Sequence, residues 1–401
     1  MKMIKSSFLI RLLSPLFLAT LLLSQQVQAE RLLNLYTLSS LVADTSDEQR
    51  AVVANVLLRE LLVRVSGTER VLEKMPPEDF SKTPELYSES PHFELWTELT
   101  SAQHLINQYS YTASSQLLTT SSGEQVNAQQ LELTFGEAGV KQLLRRLQAP
   151  VWDVNRPKVL FWVALEGRGG RTLITPESNL PLSNVLISQS EKRGVPYLLP
   201  NFSLHPVADT LFSDIWGGFS QQIITASEPY QADAIAVGKV RASGKHWRVE
   251  WLLLTGMSSV SHTASVATLR DVLQEGVNFT AEQLSSRYAS HASQNAGTYK
   301  IMVSNLRQVQ DYAAINSYLN NLSLTRKVRV VYSADQRVLF EVTLRGGLDQ
   351  LSVNLTLDNR LKEESFLGLQ QSTNYPKQPV TDQQNKPMAE QADAYFRWEA
   401  N

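Results

Sequence analysis

The stretch YQADAIAVGKVRASGKHWRVEWLLLTG, residues 230–256, decides how the middle of the chain folds. It holds a glycine-lysine pair, a histidine, further basic residues and two tryptophans, so it invites a binding reading. Its period of two favours structure. DAIAVGKVRA and HWRVEWLLLT read as two strands about the tight turn SGK. In the second, Trp247, Val249, Trp251 and Leu253 share one face, and Arg248, Glu250 and Leu252 share the other. A phosphate loop needs four residues between its glycines and a Ser or Thr after the lysine. Here five residues separate Gly238 from Gly244, and His246 follows Lys245. The stretch is therefore expected to fold as a core hairpin. A ligand-stacking role for the Trp247/Trp251 face is the alternative.

The flanking sequence sets this hairpin in an α/β sandwich spanning residues 151–296. KVLFWVALEG, just before it, has the continuous apolar run of a buried strand. A helix around LSNVLISQSEKRG ends on Gly194, VPYLLPNF is a second strand, and DTLFSDIWGGFSQQIITAS a helix weakened by Gly217 and Gly218. TLRDVLQEGVNFTAEQLSSRYAS closes the unit as a long helix. Upstream, QAPVWDVNRP reads as a boundary, because prolines bracket a polar, non-periodic stretch.

Residues 30–150 read as an α+β region. LNLYTLSSLVAD has strand character. TSDEQRAVVANVLLRELLVRVSG is a helix capped by Thr45 or Ser46, with Val53, Leu57, Leu58, Leu61 and Val65 on its apolar stripe and Gly67 as its stop. Residues 72–96 read as a loop, SAQHLINQY as a short helix, YSYTASSQLLTT and VNAQQLELTF as a hairpin, and GEAGVKQLLRRL as a helix. Residues 297–372 follow the order β-α-β-β-α-β, the ferredoxin-like pattern, with GLDQLSVNLTL as helix or strand and FLGLQ as the last strand. Residues 373–401, with three prolines and repeated glutamines, read as a disordered tail. At 401 residues the chain is an α+β and α/β multidomain protein.

The first 29 residues are set apart. Lys2, Lys5 and Arg11 precede an apolar run, and Val27 and Ala29 are the small residues a signal peptidase needs. The run is short for a spanning helix, which needs about 20 residues. A cleaved signal peptide is expected, with an uncleaved inner-membrane anchor as the alternative. Without its three basic residues the chain carries 34 Lys+Arg against 39 Asp+Glu, a net charge of −5. That excess of acid argues against a nucleic-acid partner. The chain has no cysteine, so no disulfide framework and no lipidated cysteine. Together these point to a periplasmic protein of a Gram-negative bacterium with no transmembrane segment after signal cleavage. The sequence sets no oligomeric state.

Catalytic constellations are sparse. The histidines His92, His104, His205, His246, His262 and His291 show no metal-ligand spacing, and no nucleophile elbow is present. Asp153, Asp214, Asp233 and Glu250 are the carboxylates in apolar settings, and a pair converging in space leaves no sequence trace. Enzymatic activity is thus neither indicated nor excluded, and no cofactor motif is present. EGRGGR, residues 166–171, follows a strand directly. Gly167, Gly169 and Gly170 would let backbone N–H groups approach an anion, with Arg168 and Arg171 adding charge. In the tail, Tyr395, Phe396 and Trp398 form an aromatic segment suited to docking into a partner.

LLVRVSG, PVWDVNRPKVLFWVA, KRGVPYLLP, DIWGGF and ADAIAVGKVRASGKHWRVEWLL, in this order, resemble a secreted gammaproteobacterial family, domain of unknown function 2066, over most of residues 31–256. That family brings no assigned activity and no functional residues. More loosely, the AD-x-x-x-x-G strand followed by a W-x-V strand is similar to the TolB amino-terminal domain and to lipoprotein activators of penicillin-binding proteins. This second resemblance implies a non-catalytic module that binds envelope proteins. A glycan-binding or glycan-processing protein is the other reading, with the 166–171 loop or the Trp247/Trp251 face as its site.

Cleavage after Ala29 predicts a mature chain beginning at Glu30 in the periplasmic fraction, read by mass spectrometry of its first peptide. Recovery of an intact leader in the membrane fraction would establish the anchor instead.

Overall fold

The computed structural model describes residues 34–365 and 392–399, apart from 78–79, 81, 100–101, 121–122, 168, 204–209, 257, 291–295 and 358–359. The expected signal peptide lies outside the described residues. Three sheets, each with its own helices, make a mixed α/β multidomain chain. Among the described residues no helix is long and apolar enough to cross a membrane.

The first unit comprises β1 (Thr37–Val42), α1 (Asp47–Ser66), α2 (Phe93–Glu98), β2 (Ile106–Thr119), β3 (Gln125–Phe135) and α3 (Glu137–Arg146), with the antiparallel order β1-β3-β2. Ser46 caps α1 by accepting the N–H of Gln49, and Gly67 stops it at φ +75°. The SAQHLINQY segment is not a helix. Only Ala102–Leu105 makes a 3₁₀ turn, and Ile106 opens β2, whose hydrogen bonds run to β3. Pairing with a neighbouring strand outweighs the weak helical preference of nine residues.

The second unit comprises β4 (Val159–Gly167), β5 (Gly170–Leu173), α4 (Leu180–Arg193), β6 (Tyr197–Leu198), α5 (Leu211–Gly217), α6 (Ser220–Ser227), β7 (Ala234–Ser243), β8 (His246–Thr255), β9 (Ser258–Val266) and α7 (Leu269–Tyr288). The sheet runs β5-β4-β7-β8-β9, with β6 also on β4. Its apolar residues split into two layers. Phe161, Val163, Val249, Trp251 and Leu253 pack under α4 and α7, while Leu160, Trp162, Ile235 and Val237 pack under α5 and α6. Gly218, at φ +76°, breaks the expected single helix into α5 and α6. Strands β5 and β9 were not legible in sequence. Both are edge strands, and β9 is largely exposed and rich in Ser and Thr, so no apolar alternation marks it.

The third unit comprises β10 (Thr298–Ser304), α8 (Val309–Asn321), β11 (Thr325–Ala334), β12 (Arg337–Leu344), α9 (Leu348–Thr356), β13 (Leu361–Glu364) and β14 (Ala394–Trp398). GLDQLSVNLTL is the helix α9. The FLGLQ segment lies outside the described residues, and the strand after α9 is β13. The sheet runs β11-β12-β10-β14-β13, so β13 does not touch β10. Between them sits β14, parallel to β10 and antiparallel to β13.

Residues 151–156, within the segment read as a domain boundary, form the interior hub of these units. Trp152 is fully buried and its backbone N–H donates to Val65 O at 2.7 Å. Val151 and Ser290 exchange backbone hydrogen bonds at the end of α7. Asp153 accepts from Lys141 on α3 at 3.1 Å and from the Ser323 N–H in the third unit at 2.8 Å. Asn155 donates to the Tyr318 hydroxyl. Arg156, fully buried, donates to the carbonyls of Trp152, Asp153, Arg64, Arg193 and Gly194, and its guanidinium lies 4.1 Å from the Trp152 ring centroid. Burial pulls its pKa down, but the surrounding carbonyls satisfy the charged form.

Arg156→Ala would leave these carbonyls buried without a donor. The expected loss is about 3–5 kcal/mol of stability, measured by urea unfolding at neutral pH. Arg156→Lys recovers only part of it, because an ammonium lacks the planar fork. A loss below about 1 kcal/mol for the alanine variant would contradict this account.

Candidate functional site

The hairpin of residues 230–256 is a core element. Trp251 is 1% exposed and lies between two glycines. A Cβ on Gly238 of β7 would stand 2.8 Å from its ring, and one on Gly276 of α7 would stand 2.1 Å away. The indole therefore fills the space that two missing side chains leave between sheet and helix. That removes Trp251 from any ligand-stacking surface. Trp247 is half-buried and packs with the same core.

The glycine-rich segment 166–171 is the turn of the β4–β5 hairpin, with Gly167 paired to Gly170 and Glu166 to Arg171. Gly170 adopts φ +103°, which the turn requires of it. Arg171 Nε lies 2.8 Å from Glu166 Oε1, so this cation already has an anion. Arg168 lies outside the described residues, and Gly169 has open space around it. The turn leads into a strand and not into a helix N-terminus.

The aromatic tail corrects a second expectation. Residues 373–391 lie outside the described residues, but Tyr395, Phe396 and Trp398 belong to β14 inside a sheet. Ala394, Phe396 and Trp398 point inward and are buried, Phe396 completely. Tyr395 packs on the other face against Met302 and Leu339. Trp398 Nε1 donates to Asp311 Oδ1 at 3.2 Å, and Lys300 N–H donates to Asp393 Oδ2 at 2.7 Å. Strand pairing on both sides and burial of two large rings outweigh the polar composition of what precedes them. These residues are not free to dock into a partner.

The scattered carboxylates stay apart in role. Asp233 accepts the Lys158 N–H, Asp214 accepts from Thr210, and Asp153 serves the hub. His262 meets Glu275 at 2.8 Å and stacks on Phe279. Among the described residues no group of three or more His, Asp or Glu is placed to hold a metal.

A groove of about 780 Å³ lies instead where the first unit meets the second. One wall is α1, with Val52, Val56 and Arg59. The floor is Leu72, Met75, Pro76, Pro77 and Phe80. The far wall is α4 and α7, with Gln189, Lys192, Gln274 and Asn278. Val52 and Val56 are 58% and 61% exposed, one helical turn apart. The charges around the groove are largely paired with one another. Arg193 contacts Glu69 at 2.8 Å and Glu282 at 3.4 Å, Lys192 lies 3.5 Å from Glu60, and Arg59 donates to Pro76 O. Gln189 donates to Asn278. The groove therefore presents apolar surface and amides with little net charge. Sequence reading missed it, although Val52 and Val56 are apolar residues at i and i+4 lying off the core stripe of α1, and that was the available signal.

No protein-family model matches the chain, and no curated protein matches it. Among solved structures, protein VC0702 from Vibrio cholerae is similar over 34% of this chain and 79% of that one, at 9% identity and a TM-score of 0.16. Prolyl-tRNA synthetase from Cryptosporidium parvum, complexed with halofuginone and AMPPNP, is similar over 57% of this chain and 50% of that one, at 10% identity and a TM-score of 0.15. Likenesses of this degree carry no argument about fold or function.

Because β14 holds β10 and β13 together, removing residues 392–401 is expected to unfold the third unit, and Phe396→Asp to cost about 3 kcal/mol or more. Loss of protection of residues 298–304 in hydrogen exchange would report it. Unchanged protection in the truncated chain would return these residues to a free tail.

Proposed function

We propose that this protein is an exported, non-catalytic interaction module of the bacterial cell envelope, and that the groove between α1 and α4 receives an apolar segment of an envelope protein. The observation that carries the reading is the exposed pair Val52 and Val56 at the mouth of an apolar groove. Contiguous apolar surface rimmed by polar groups is what partner-binding sites offer. Because the rim charges pair among themselves, a neutral apolar segment fits better than a strongly charged one. Side-chain amides such as Gln274 supply hydrogen bonds to a peptide backbone. Export and the periplasmic location rest on residues 1–29, and the resemblance to secreted envelope families agrees with them. We read the third unit as a ferredoxin-like βαββαβ domain whose sheet is widened by β14.

The test is photo-crosslinking in cells from a probe at Val56 of the exported chain. The expected result is one envelope protein captured, with capture lost in Val52→Asp/Val56→Asp while circular dichroism stays unchanged. The purified partner should then bind the purified wild type at least about tenfold more tightly than the double variant. A folded, exported protein that captures no defined partner, or captures it equally well with the aspartates, overturns the reading.

A further inference from the structure

On the sheet face opposite α4 and α7, the charged residues of β7 and β8 converge. Lys239 stands directly opposite Glu250, and Arg241 directly opposite Arg248. Period two places all four on the face that carries Ile235, Val237 and Leu254. Helices α5 and α6 cover that face only partway. Beyond them Lys239, Arg241, Arg248 and Glu250 surround a hollow of about 200 Å³, with the indole of Trp216 as its remaining wall. Trp216 stacks on Phe212 at 5.4 Å and 14°, which fixes its plane. The row continues through Glu166 of β4, the register neighbour of both Arg241 and Arg171.

Like charges directly opposite on neighbouring strands destabilise a sheet. Arg241 and Arg248 are such a pair. Both are exposed, and among the described residues neither makes an ion pair, while Arg171 nearby is matched to Glu166. A fold with no use for this charge would place opposite signs there. Two forked guanidiniums and an ammonium about one hollow suit a bound anion. Glu250 and Trp216 narrow the choice. A carboxylate repels a bare anion but accepts hydrogen bonds from hydroxyls, and an indole face stacks on a ring. At about 200 Å³ the hollow is smaller than the roughly 300–1,000 Å³ of sites for drug-sized ligands, and it suits a single ring.

We propose that this hollow binds a phosphorylated sugar. Arg241 and Arg248 hold the phosphate, Trp216 stacks on the ring and Glu250 accepts its hydroxyls. The site is on a different surface from the α1–α4 groove and stands or falls independently of it.

Calorimetric titration of the full mature chain at low salt tests it, with glucose 6-phosphate, glucose and inorganic phosphate as probes. Glucose 6-phosphate is expected to bind at least about tenfold more tightly than either fragment. Arg248→Ala should weaken it by about tenfold or more, and Trp216→Ala should erase its advantage over phosphate. Phosphatidylglycerol vesicles present phosphate without a sugar ring, so preference for them overturns the assignment. So do equal affinities for phosphate and glucose 6-phosphate, or no saturable binding. A second readout needs no ligand. Arg248→Gln relieves the like-charge pair, so it should raise the melting temperature at low salt and lose that gain at about 0.5 M salt. A lower melting temperature at every salt concentration would make Arg248 a structural residue and sink the proposal.

Discussion

The guanidinium of Arg156 joins the carboxyl ends of two helices that belong to different units. It donates to Arg64 O in the last turn of α1 and to Arg193 O and Gly194 O at the end of α4. Each helix end carries carbonyls without intrahelical partners and the negative end of a macrodipole. One buried cation satisfies both, and the Trp152 ring covers its face. The approach is close enough to demand glycine at both helix stops. A Cβ on Gly194 would lie 2.6 Å from Arg156 Nη1, and one on Gly67 would lie 2.2 Å from the Ser285 Cβ of α7. Both glycines also adopt positive φ, so the residue that ends each helix is the residue that lets the units touch.

The groove follows from this joint. Its two walls are faces of α1 and α4, and their spacing is set where Arg156 ties their ends together. Arg193 adds a second tie, reaching Glu69 and Gly67 O on one side and Glu282 on the other. Arg193 is buried while its carboxylate partners reach the surface, and such a network disfavours geometries that leave the buried cation unpaired. The groove thus has defined walls although it lies between two separately packed cores. Asp153 and Asn155 extend the same hub to Ser323 and Tyr318, so the third unit is held by the same six residues.

The central sheet divides its two faces by the same period of two. One face is closed by α4 and α7, with Trp251 seated against Gly238 and Gly276. The other is closed by α5 and α6 only partway, and beyond them charged residues of β7 and β8 stand exposed. Strand β14 shows how pairing can override composition. Its five residues alternate inward and outward as a strand should, but the signal is too short to stand out beside a proline- and glutamine-rich stretch.

Local pattern alone determined the helices α1, α3 and α7, the hairpin β7–β8, the buried strand β4 and the mixed α/β class, because each shows enough turns or alternations to reveal its period. It also marked Gly67 and Gly194 as helix stops. Only tertiary structure decided that the boundary residues 151–156 are a buried hub, that Ala394–Trp398 completes a sheet, that Arg171 is paired with Glu166, and that Val52 and Val56 face a groove. Apart from the local Glu166–Arg171 pair, these depend on contacts between segments tens to hundreds of residues apart. Burial, pairing and charge compensation across such distances arise only when the chain has closed, and a one-dimensional pattern carries no record of them.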